Sequence, residues 1–170
     1  MNHSLAQKIY EEIKNEPYNV STEFCVEAPN CYFKGIRLIK ALAELGYAVR
    51  GRVADIDWKN TPVPSEIVSL IPKDAQERHF FVEVMMDDEW RTLDPSIDPE
   101  TEKLGFRAVS FDGDPRTCFD LDKRYMHVEQ IDFLSTFSQE DVGENYFNMM
   151  LPFLISVNEW FDSQRKVIKS

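Results

Sequence analysis

Three side chains of this 170-residue chain could together carry covalent chemistry: Cys31, His79 and Asp94. Cys31 follows an irregular stretch, Glu27-Ala28-Pro29-Asn30, and opens an expected helix. The first amide N–H groups of a helix lack intrahelical partners, and its aligned peptide dipoles place partial positive charge there. Both effects favour thiolate over thiol. The same amides could hold an oxyanion developing on an attacked carbonyl. A thiol nucleophile also needs a base. His79 heads the run His-Phe-Phe-Val-Glu-Val-Met-Met, which is followed by Asp87-Asp88 and a second short segment over 89–94. A two-residue turn at Asp87-Asp88 sets Phe81 opposite Asp94 and leaves His79 one diagonal step away. Opposed residues share a face, as do positions two along, so a carboxylate at 94 can orient an imidazole at 79. The parity decides. A turn of odd length, or a bulge, puts the two groups on opposite faces.

The remaining candidates read as structural. Cys25 lies in an extended segment and is expected to be structural, though it is the next thiol to test if Cys31 is inert. Cys118 follows a turn with no histidine or helix start near it, and is expected to be a packed or surface thiol. His3 sits in a fraying terminus and His127 decorates a strand or turn, neither with a partner at metal-ligating spacing. Glu83 shares the expected His79 face, where it either contacts the site or makes a cross-strand ion pair; Trp90 is expected in the core. The acidic cluster Asp112, Asp114, Asp120 and Asp122 does not match a helix–loop–helix calcium loop, so a solvated acidic loop is expected, with no metal and no cofactor.

These residues must be positioned by the elements around them. Residues 4–14 carry Leu5, Ile9 and Ile13 at helical spacing, and the helix ends before Glu16-Pro17. The strongest helix runs over 32–45. Its Lys34, Arg37, Lys40 and Glu44 fall in a narrow arc and apolar side chains fill the rest, which predicts burial by neighbours on several sides. Gly46 supplies a left-handed stop, while Gly35, costing up to ~1 kcal/mol relative to alanine, points to close approach by another backbone. A strand follows over 47–58, with Val49 and Val53 on one side and Arg50 and Arg52 on the other. Residues 65–70 form a short helix, 79–86 a strand apolar on both faces and so interior to a sheet, and 89–94 its hairpin partner. Further on, Asp112-Gly113-Asp114-Pro115 is a turn, and Ser138 with Asp141 resembles a helix start. The helix beyond carries Leu154, Val157 and Phe161, with a bend at Pro152. The aromatic and Met-rich stretch 146–161 reads as a C-terminal helix packed on the domain. The order suits an α+β domain.

Cys31 at the head of its helix, Lys34 in Cys-Tyr-Phe-Lys, and Leu45-Gly46-Tyr47-Ala48-Val49-Arg50 resemble the cysteine-bearing half of the transglutaminase-like superfamily. His79-x-x-x-Glu83-Val84, then Trp90-x-x-Leu93-Asp94-Pro95-Ser96-x-Asp98, resembles its histidine and aspartate half. The resemblance covers roughly residues 8–99 and is to stand-alone microbial members. It departs in a long Cys-to-His interval, with an insert over 60–77, and residues 105–170 match nothing recognisable. It implies a papain-like core, with a buried helix on an antiparallel sheet, plus a helical C-terminal extension. It also implies Cys31 as nucleophile, His79 as acid/base and Asp94 as its orienter, forming a thioester from a side-chain or peptide amide that water or an amine resolves. Proteolysis or amide hydrolysis is expected ahead of cross-linking. Asn30 and the segment 18–30 offer possible second oxyanion donors, with nothing to choose between them.

Length, composition and charge bound this reading. Residues 1–170 are expected to form one domain, with the core at about 8–99 and the extension at about 105–170. Hydrophobic residues make up 43 % and charged residues 29 %, so the chain is globular rather than disordered. Nineteen Lys and Arg against 30 Asp and Glu leave a net charge of −11, which repels phosphate backbones and anionic lipid. Neither nucleic acid nor membrane is an expected partner; a peptide or protein amide is. No stretch approaches the ~20 apolar residues of a spanning helix, and no secretory signal is evident at the N-terminus. Three cysteines, an odd number, fit a reducing compartment, and the cytoplasm is the expected location. Two rivals stand beside the enzyme. One is a catalytically idle module that keeps the fold to bind peptide or protein. The other is acyl transfer from a thioester donor, as in arylamine acetyltransferases, though no arginine-rich motif precedes Cys31.

Overall fold

The computed structural model describes residues 2–75, 77–112, 117–119 and 143–169. In chain order its elements are α1 (His3–Lys14), α2 (Cys31–Glu44), β1 (Val49–Asp55), a 3-10 turn (Trp58–Asn60), α3 (Ser65–Val68), β2 (Arg78–Met86), β3 (Glu89–Leu93), α4 (Pro99–Glu102) and α5 (Glu144–Ile168). The three strands form one antiparallel sheet in the order β1-β2-β3. The fold is α+β.

Alternation along the strands sorts the sheet into two faces. Phe80, Val82 and Val84 of β2 oppose Val53, Gly51 and Val49 of β1. This face packs against Leu38 and Leu42 of α2, with Ala6, Tyr10 and Ile13 of α1 completing the cluster. The buried stripe of α1 is thus Ala6-Tyr10-Ile13 rather than the expected Leu5-Ile9-Ile13, and Leu5 is exposed. The shift has a cause: the Tyr10 hydroxyl donates to the carbonyls of Val109 (2.7 Å) and Asp94 (3.1 Å). A second cluster gathers Tyr18, Trp58, Ile97, Phe106 and Phe119 around the inner stripe of α5, Met150, Phe153, Val157 and Phe161.

The hairpin forms on the turn expected of it. Asp87 and Asp88 have φ of 52° and 63°, two successive left-handed residues, and the register runs from Val82 opposite Leu93 to Met86 opposite Glu89. Gly46 takes φ of 83° just after α2. At Gly35 an added Cβ would lie 2.3 and 2.5 Å from the Phe80 ring, so the close neighbour is an aromatic side chain and not the expected backbone.

Several expectations are corrected. Lys34, placed on the polar arc of α2, is fully buried. Its ammonium donates to the carbonyls of Lys14, Glu16 and Ser96, thereby closing the C-terminal end of α1. Trp58 leaves the expected strand: the Asp57 carboxylate accepts from the Lys59 N–H, and the indole turns inward against Phe119 and Phe153. Trp90 is exposed, with the Arg50 guanidinium stacked 4.0 Å from its ring. Cys25 is exposed at φ of 60°. His3 lies in the first turn of α1, edge-on to Phe111 at 5.1 Å. The helix α4 was not anticipated; the Asp98 side chain caps it by accepting from the N–H groups of Glu100 and Thr101. Pro152 lies inside α5 as expected. The Asp112–Pro115 turn beyond Asp112, His127, Asp114, Asp120, Asp122 and the Ser138/Asp141 helix start fall outside the described residues. Among the described residues, no helix is long and apolar enough to cross a membrane.

Candidate active site

Asn30 supplies the local reason that α2 begins where it does. Its backbone is extended and its side-chain oxygen accepts from the Phe33 N–H at 3.0 Å. The next residue, Cys31, is therefore the first of the helix and is half-buried. Gly35, one turn along, lets the helix lie against the Phe80 ring and so sets how near Cys31 comes to the head of β2.

His79 and Asp94 meet as the turn parity requires. The His79 Nε2–H donates to Asp94 Oδ2 at 2.6 Å, with both side chains buried. Cys31 lies close enough to the ring to add to the pull that raises its pKa. Burial by itself pushes the His79 pKa down, but the Asp94 carboxylate and Cys31 outweigh it and hold the ring up at about 10. The ring lies 4.6 Å from that of Phe119 and stacks on Phe81. Its orientation is fixed on three sides.

Asp94 is held as firmly as it holds. Besides His79, Oδ2 accepts the Cys118 N–H at 2.8 Å; Oδ1 accepts the Ser96 hydroxyl at 2.6 Å and the Ser96 N–H at 3.2 Å. Burial raises its pKa, yet the His79 charge and these donors prevail and keep it at about 2. The Cys118 thiol donates to the Asp94 carbonyl at 3.4 Å, and burial drives that thiol well above its usual range. Cys118 is thus a support for the aspartate. Glu83 is not part of this group: it pairs with Arg50 (2.5 Å) and Arg52 (3.3 Å).

Cys31 and His79 border a cavity of about 520 Å³. Tyr18 and Val20 line it ahead of α2, Trp58 and Glu77 ahead of β2, and Tyr146 and Phe153 from α5. Asn158 of α5 pins this wall by accepting the Val20 N–H (3.0 Å) and donating to the Val20 carbonyl (2.7 Å). Arg165 adds donations to the Tyr18 carbonyl and to Thr101. Burial, then the charges of Cys31 and Asp94, hold the Tyr18 phenol well above its usual range. No group of three His, Cys, Asp or Glu side chains among the described residues is arranged to hold a metal ion.

The structure brings Cys31, His79 and Asp94 together and leaves Cys25 outside. Sequence reasoning missed Tyr18, Glu77 and the support from Cys118. Ser96 was visible in Asp94-Pro95-Ser96, a sequence suited to a carboxylate that bonds the backbone two residues on. Cys118 lies 24 residues from Asp94 and leaves no local signal. None of the family models, curated proteins or solved structures compared with the chain matches it.

Proposed function

We propose that the chain is a thiol-dependent enzyme of transglutaminase-like, papain-like type that cleaves an amide bond in a peptide or protein. One observation carries the reading: His79, buried and bonded to Asp94 at 2.6 Å, borders the same cavity as a half-buried cysteine that opens a helix. A purely structural cysteine needs neither the oriented ring nor access to a cavity.

In the proposed reaction the Cys31 sulfur, its proton already held by His79, attacks the amide carbonyl carbon. The carbonyl oxygen, now negative, faces the first N–H groups of α2. The C–N bond breaks, His79 returns the proton to the departing nitrogen, and a thioester remains on Cys31. Water then attacks the thioester, giving its proton to His79. The C–S bond breaks, and the sulfur leaves with its electron pair beside the re-protonated His79. Asp94 orients the ring and stabilises the imidazolium with which the first half-reaction starts and the second ends. A substrate amine in place of water would give transfer by the same steps.

The test is alkylation by iodoacetamide between pH 5 and 9, located by mass spectrometry, in parallel with a peptide screen read by amide release. Labelling at Cys31 that is fast at pH 6 and slowed at least ~10²-fold in His79→Ala fits the reading. Release that persists in Cys31→Ala, or a Cys31 no more reactive than a free thiol, ends it.

A further inference from the structure

The cavity beside Cys31 contains a carboxylate that the thiol chemistry does not use. Glu77 stands two residues before His79. Its Oε2 accepts the Trp58 indole N–H at 3.3 Å and its Oε1 the Tyr146 hydroxyl at 3.5 Å. Both donors are neutral, both bonds are long, and each oxygen keeps further acceptor capacity. A carboxylate withdrawn from water on such terms is poorly compensated compared with one that faces a cation. Burial pushes the Glu77 pKa up, with only those two donors opposing it. Its neighbour Arg78 also borders the cavity; that side chain is half-exposed and its Nε lies 3.9 Å from Asp55.

The walls around Glu77 complete a recognisable chemistry. Trp58, Tyr146, Phe147 and Phe153 line the same space with aromatic rings. Such rings pack along an alkyl stem and attract an ammonium or guanidinium at its end. The volume of about 520 Å³ lies within the range of pockets that enclose one small ligand or a long side chain. A net charge of −11 draws cations toward the molecule in general.

We infer that Glu77 is a specificity-determining residue that receives a cationic group, an ammonium or guanidinium on an apolar stem, in the aromatic-walled cavity beside Cys31. The inference rests on the proposed amide chemistry for the bond that is attacked. The binding half is tested apart from it, on the full chain carrying Cys31→Ala. Calorimetry compares Nα-acetyl-lysine methylamide with its uncharged isostere, Nα-acetyl-norleucine methylamide. The lysine probe should bind about tenfold tighter or better, and Glu77→Gln should abolish that preference while retaining the far-UV circular dichroism of the parent. Equal affinities for the two probes, or no lysine binding at millimolar concentration, overturn the inference without any variant at 77. A preference that survives Glu77→Gln overturns it too. Lysine-selective binding by a protein whose Cys31 proves inert would keep the cation site and remove only the thiol chemistry.

Discussion

At the scale of single residues, the geometry at Asp94 distinguishes what orients from what reacts. The four hydrogen bonds of its carboxylate leave no freedom to rotate, and only one of them reaches the imidazole. Asp94→Asn would present an amide that accepts through one atom only, and so could not serve His79, Ser96 and Cys118 together. We expect this variant to retain Cys31 but to lose about 10²–10⁴-fold in its reaction with a peptide amide, measured as kcat. Lys34 makes the opposite case, a charge without a reaction. Burial lowers its pKa to about 8, and three carbonyls take its three protons. Lys34→Met should cost about 2–4 kcal/mol in urea denaturation by stranding those carbonyls, while leaving residual Cys31 alkylation dependent on His79. Nothing local distinguishes Lys34 from Arg37 or Lys40 in the sequence. Its burial follows from where α1 ends and where the 94–98 segment crosses, both distant along the chain.

Elements decide whether these side chains meet. The site geometry was legible in the sequence because it rests on one short-range quantity, the length of the hairpin turn. Asp87-Asp88 sets the register, and the alternation of the pleat does the rest. Asp88 at φ of 63° bears a cost that glycine would not. Asp88→Gly should therefore raise the unfolding free energy by about 0.5–1 kcal/mol without altering Cys31 reactivity, a pairing checked by denaturation and alkylation on one sample. Gly35 is the companion constraint on α2. Gly35→Ala drives a methyl into the Phe80 ring and should destabilise by about 1–3 kcal/mol, against the gain that alanine normally brings to a helix. Sequence reasoning located that close approach yet misjudged its partner, since a helix pattern shows that something is near and not what. The buried stripe of α1 and the place of Trp58 were misread for a related reason. Each is drawn inward by a single hydrogen bond or a turn that amphipathic spacing does not encode.

For the whole molecule, the buried pair makes stability depend on pH with a definite sign. The His79 pKa is raised from 6.5 to about 10, so its contribution is complete below about 6.5 and is lost as pH climbs toward 10. The Asp94 pKa is lowered from 3.8 to about 2, so its share is complete above about 4 and is lost as pH falls toward 2. Both shifts describe one interaction, and together they place its maximum between about pH 4 and 6.5. Thermal melts of wild type and His79→Gln should differ most near pH 5 and converge only above about pH 10; a gap that widens with pH would contradict the pairing. The arrangement of α5 carries a consequence for how the site comes into being. Tyr146 and Phe153 line the cavity from that helix, and Asn158 and Arg165 fasten the strip holding Tyr18 and Val20. A growing polypeptide on the ribosome therefore has its thiol, imidazole and carboxylate in hand long before the last wall of the cavity beside them.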